Sequence, residues 1–196
     1  MKAIPLIVIA ALLALSACDN APSKPAETPA QPSQPAAPQS ERERLLEARA
    51  KQDARNVKAM NAYAAEVLAR QEVPDDFVVV EHILIDSGGQ NVDLKELEAL
   101  AARILRESAN ETIFDEFKER YSKDESSMSA DATYCLTRTQ EIANAMREQR
   151  ERVKFREEML PGFWKVAFRL KVGEIAPLLN SQVESPFGWH IIRRVE

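Results

Sequence analysis

The sequence predicts a small α+β domain on a mixed or antiparallel sheet, with a long helix and an unstructured segment ahead of it. Three observations carry that prediction. First, β-branched runs of strand length, "FVVVEHILI" from Phe77 and "GWHIIRRVE" from Gly188, open and close the last part of the chain. Second, the stretches between them place apolar residues every three or four positions, the period of a helix with one buried face. Third, the elements follow the order β, α, α, β, α, α, β, β, which gathers helices between the strands of one sheet. A length of 196 residues, with 45% hydrophobic and 29% charged content, suits one compact domain plus extensions.

The extensions come first. Residues 1–17, "MKAIPLIVIAALLALSA", carry a lysine, an apolar run from Ala3 to Leu15 and then small residues. The run falls short of the ~20 apolar residues of a membrane span and fits the core of a secretory signal. Leu15-Ser16-Ala17-Cys18 resembles a bacterial lipobox, which implies that Cys18 is lipidated and anchors the chain without spanning the bilayer. Asp19 and Asn20 resemble an inner-membrane retention signal, so the expected location is the cell membrane, facing the periplasm. Residues 18–40 then form a Pro/Ala-rich tether. Six of the eleven prolines fall within 19–40 and no large apolar residue does, so this segment cannot bury enough surface to order itself.

From Glu41 the composition turns to Glu, Arg, Lys, Ala and Leu, which predicts an N-terminal helix over 41–74, ended by Pro74. Its stripe of Leu46, Ala50, Ala54, Val57, Met60, Ala64 and Leu68 is narrow and predicts packing against its own domain or a partner. After the first strand, Gly88-Gly89 marks a turn. Leu94, Leu97, Ala101, Ile104 and Leu105 trace one helix face, and Phe114, Phe117 and Tyr121 trace a second. "ATYCLT" reads as a short strand. Residues 139–158 are helical by propensity and densely charged, with nine charges between Arg147 and Glu158. Pro161 opens the next helix, whose apolar positions are Phe163, Val166, Ala167 and Leu170. "GEIAPLL" is a brief strand before the last.

Residues 77–196 carry a family resemblance. "VVVEHILI", "FDEFKERYSKDESS" and the closing "MLPGFWKVAFRLKVGEIAPLLNSQVESPFGWHIIRRVE" resemble the parvulin peptidyl-prolyl cis-trans isomerases, the final Phe-Gly-x-His-Ile-Ile most specifically. The resemblance implies a four-stranded sheet with surrounding helices over 75–196. It implies that His82 and His190 lie side by side at the floor of the site and share a hydrogen-bond network. Met159 and Phe163 match the positions that hold a substrate proline ring. Asp124 matches the acidic or cysteine position beside the reacting bond, and Ser185 and Phe187 match two positions on the last turn. The implied activity is isomerisation of X-Pro bonds in unfolded or extended exported polypeptides, with no metal and no organic cofactor.

Two departures from the family pattern touch the pocket walls. "SADATYCLTR" replaces the usual glycine-rich stretch, leaving Leu136 or Thr133 to supply the pocket's further apolar side chain. The charged helix over 139–158 is an insertion at the rim. These departures leave a second reading open, a degenerate parvulin domain that binds chain as a chaperone. Other classes find little support. A net charge of −5 without a long basic run argues against nucleic acid, and no basic cluster precedes the second helix to favour phosphorylated substrates. With Cys18 lipidated, Cys135 has no disulfide partner; it is expected to be a small buried apolar side chain, with a reactive thiol as the alternative.

Overall fold

The computed structural model describes residues 40–88, 92–108, 111–129 and 132–196. The signal segment, Cys18 and the Pro/Ala-rich tether lie outside the described residues. Helix α1 spans Glu41–Ala69. Its start is fixed locally: the Glu43 N–H donates to Ser40 Oγ at 3.2 Å, and the Ser40 N–H donates to the Glu43 carboxylate at 2.7 Å. The first four turns bury nothing, and burial begins at Asn56 and continues through Met60, Ala64 and Val67. The stripe therefore differs from the expected one at both ends: Leu46 and Leu68 are exposed, and Val67 takes the inward position. Among the described residues, no helix is long and apolar enough to cross a membrane.

Strand β1 (Phe77–Asp86) is followed by α2 (Leu94–Glu107), α3 (Glu111–Tyr121) and a 3-10 turn at Glu125–Ser127. Then come β2 (Tyr134–Thr137), α4 (Gln140–Met146), β3 (Val153–Phe155) and a second 3-10 turn at Arg156–Glu158. Helix α5 (Pro161–Ala167), β4 (Ile175–Leu178) and β5 (Gly188–Arg194) complete the chain. The sheet has five strands in the order β3-β2-β1-β5-β4, antiparallel except for the parallel pair β2 and β3.

The fifth strand corrects the expectation of four, and it comes from the segment read as one charged helix. That helix stops at Met146, and Val153 and Phe155, either side of Lys154, read with period two rather than 3.6. Val153 is buried against Val79, Cys135 and Ala143, so sheet pairing overrides the helical propensity of the charges around it. The charges keep this short edge soluble. Cys135 is packed in the same cluster, with burial pushing its thiol pKa up, the setting of an inert apolar filler rather than a reactive thiol.

Alternation along β1 sends its residues to two faces. Val78, Val80 and His82 face α5, in a core with Leu136, Phe163, Val166 and Ile192. Ile83 and Ile85 face α2 and α3, in a core with Ala101, Ile104, Phe114 and Ile191. Helix α1 contacts α2, β4 and α5, placing Met60 in the second core and Val67 in the first.

Candidate active site

The site lies on the α5 face, where β1 and β5 run antiparallel with Leu84 opposite His190 and His82 opposite Ile192. That register puts the two histidines on the same face as diagonal neighbours, their ring centroids 5.2 Å apart. Gly188 makes the approach possible: its φ is 139°, and a side chain there would meet the Ile85 carbonyl oxygen. Phe163 on α5 meets both rings edge-on, at 5.2 Å from His82 and 5.5 Å from His190. Above them opens a cleft of about 520 Å³, lined among others by His82, Asp124, Tyr134, Met159, Phe163 and His190.

Asp124 caps the first 3-10 turn, and its two oxygens have separate tasks. Oδ2 lies 3.1 Å from His82 Nε2, and Oδ1 accepts from the Ser126 N–H at 3.0 Å and from its hydroxyl at 2.6 Å. Because Ser126 spends its proton on Asp124, its oxygen accepts from the Tyr134 hydroxyl, 2.8 Å away. The His82 hydrogen bond, with help from Ser126 and against partial burial, holds the Asp124 carboxyl well below the usual carboxylate range. The Tyr134 ring also stacks on His82, centroids 5.8 Å apart at 29°. His82, Asp124, Ser126 and Tyr134 thus close a circuit.

His190 stands apart from it. Neither ring nitrogen has a hydrogen-bond partner among the described residues. Burial, reinforced by charge on His82 and partly offset by Asp124, lowers its pKa to about 3, so it is neutral at physiological pH. The resemblance implies a network shared between the two histidines; no hydrogen bond joins them among the described residues. They touch, but the hydrogen bonds run from His82 to the loop carboxylate.

Of the expected pocket residues, Met159, Phe163 and Phe187 line the cleft, Phe187 being 56% exposed at its mouth. Ser185 and Leu136 do not. The Ser185 hydroxyl is buried and donates to the Gly188 carbonyl at 2.6 Å, closing the turn ahead of β5. Leu136 is fully buried in the core under α5; it shares a face with Tyr134 but sits two residues, ~7 Å, further along the strand. Thr133 is not at the wall either, and Tyr134 takes the place expected of one of them. Tyr134 was legible only as an aromatic in a short strand. What gives it a role is the hydroxyl's reach to Ser126, which no spacing shows.

A family model described as the PPIC-type PPIase (rotamase) domain matches residues 82–196. No curated protein matches the chain. Among solved structures, the crystal structure of PrsA from Bacillus subtilis is similar at 20% identity and a TM-score of 0.35, over 79% of this chain and 50% of that one. The chain thus spans about half the length of that protein. The family match covers more than half the chain and includes both histidines, Asp124, Met159 and Phe163, and on that ground the chain belongs to the PPIC-type peptidyl-prolyl isomerases, the parvulins.

Proposed function

We propose that this chain accelerates cis-trans isomerisation of X-Pro bonds in unfolded or extended exported polypeptides, held at the periplasmic face of a bacterial membrane by lipid on Cys18. The observation that carries the reading is the gathering of Met159, Phe163, Asp124 and both histidines around one cleft. Rotation about an X-Pro bond must break amide resonance, a barrier of ~18–20 kcal/mol, and takes tens to hundreds of seconds unaided. No covalent bond has to form. Met159 and Phe163 grip the proline ring, and the cleft keeps water from the imide, which favours the twisted, less conjugated transition state over the planar ground state.

Polar groups then act on the twisting bond. His82 presents a ring whose orientation is fixed by Asp124, and neutral His190 beside it adds no charge to the floor. Asp124, a carboxylate at all working pH values, sets the potential at one edge of the cleft.

NMR exchange on X-Pro peptides tests the reading. Exchange faster with the chain than without it, and slow with Met159→Ala, supports an isomerase. Slow exchange with both, accompanied by shifts of Met159 or Phe163 signals on adding peptide, would replace it with a binding module. The anchor has its own test: Cys18→Ala is expected to move the protein from the membrane pellet to the soluble fraction, and a variant that still pellets would remove the lipid from the account.

A further inference from the structure

Arg152 lies between α4 and β3, within the inserted segment. Among the described residues it is the one non-glycine residue with positive φ, at 55°. A long side chain in the left-handed region is strained, and its surroundings must hold it there. Two contacts do so. Its carbonyl accepts from the Cys135 N–H at 3.3 Å, and its guanidinium sits over the Tyr134 ring, 4.4 Å from the centre. Tyr134 leads from there into the site twice: its ring stacks on His82, and its hydroxyl starts the donor chain through Ser126 to Asp124, which holds His82 Nε2.

We propose that Arg152 is a positioning residue for the isomerase site: the inserted segment supplies a cation that braces Tyr134 and, through it, fixes the His82–Asp124 pair. A guanidinium is attracted to the negative face of a phenol ring, which pins the ring plane. It also draws electron density from the hydroxyl, so that the O–H donates more strongly to Ser126. A carboxylate held through both oxygens cannot turn away from His82, and His82, stacked under Tyr134, cannot tilt. The insertion is then a brace for one wall of the cleft. Its effect on turnover rests on the isomerase reading; its effect on the His82–Asp124 pair does not.

Arg152→Gly is the discriminating variant. Glycine accepts this φ without strain, so the fold keeps or gains stability while the cation is lost. Arg152→Lys returns a cation without the planar fork. The full chain in detergent is compared in three forms by three readouts: the imidazole N–H signal of His82 by 15N NMR, kcat and KM by exchange on an X-Pro peptide, and the thermal midpoint. In the glycine variant the His82 N–H signal is expected to broaden or vanish. There kcat falls about tenfold with KM nearly unchanged, and the midpoint holds or rises. The lysine variant recovers most of kcat. An unchanged His82 signal in the glycine variant overturns the proposal, and so does a lower midpoint with that signal intact, which would mark a purely structural residue. If the wild-type chain shows no isomerase activity, the His82 signal decides alone: its loss supports the brace, and its survival ends it.

Discussion

Glu81 and His82 are consecutive residues of β1, both buried, and their surroundings are opposites. Glu81 points toward α3, where Lys118 Nζ lies 2.5 Å from its carboxylate and the Arg193 guanidinium pairs with the other oxygen. Lys118 also reaches Asp115, and Arg193 reaches Glu111. Every charge there is answered by an opposite one. His82 points toward α5, where one nitrogen is bound, and neither its other nitrogen nor those of His190 beside it have a hydrogen-bond partner among the described residues. Cost differs accordingly. Buried ions that answer one another fix a sheet in place, whereas buried polar atoms left unanswered beside an open cleft are tolerated only where something else makes use of them. The difference teaches which face to test for stability and which for activity.

The largest expected effect breaks the paired face. Glu81→Leu leaves two cations buried with only their outer partners, and is expected to cost about 3–5 kcal/mol in urea unfolding while activity per folded molecule stays unchanged. A matching fall in specific activity would show that the two faces are not separable. Acid is expected to act next, through the other face. His190 has a folded pKa of about 3 against an unfolded value of ~6.5, so between those values the unfolded chain binds the extra proton and acid favours unfolding. From pH 6.5 to 4.5 this residue alone contributes a loss of roughly 2–3 kcal/mol. His190→Leu should remove that part of the slope; an unaltered pH dependence would mean that His190 is solvated.

Smaller still is Met159→Ala, expected to lower kcat/KM by about tenfold, or ~1.4 kcal/mol, with little change in stability, since the residue is only half-buried. Full activity in this variant would move the proline pocket elsewhere. Phe163 is a poorer probe because it is 1% exposed and belongs to the core, where truncation to alanine would cost ~3–5 kcal/mol. The smallest effect belongs to neither face. Arg150 binds Glu196 through two hydrogen bonds at the surface, and Arg150→Ala is expected to cost less than about 1 kcal/mol by thermal denaturation. A larger loss would show that the inserted segment braces the sheet as well as the cleft.

The two faces were not equally legible in the sequence. His82, His190, Met159 and Phe163 stand in motifs whose spacing survives intact, and they meet as the resemblance implies. The paired ions left no such trace, because Glu81, Lys118 and Arg193 come from three separate elements and each alone resembles a solvated charge. Strand β3 was hidden for a related reason: three residues of period two are too few to outweigh the helical propensity around them until β2 offers an edge. Ser185 and Leu136 lie in the right segments but face inward, where a turn and a core claim them. Arg152 was unreadable because its role depends on a backbone sign and on a ring reached across the sheet.

Helix α1 joins two regimes of time in one rod. Its first four turns rest on a capping box and on pairs such as Glu47 with Lys51, which open and close by local fraying, while Met60, Ala64 and Val67 are sealed into the two cores. Amide protons near the start should therefore trade with solvent through brief openings, and those near Met60 only when the whole domain lets go. The first turns of the helix can melt and reform without the cleft registering it.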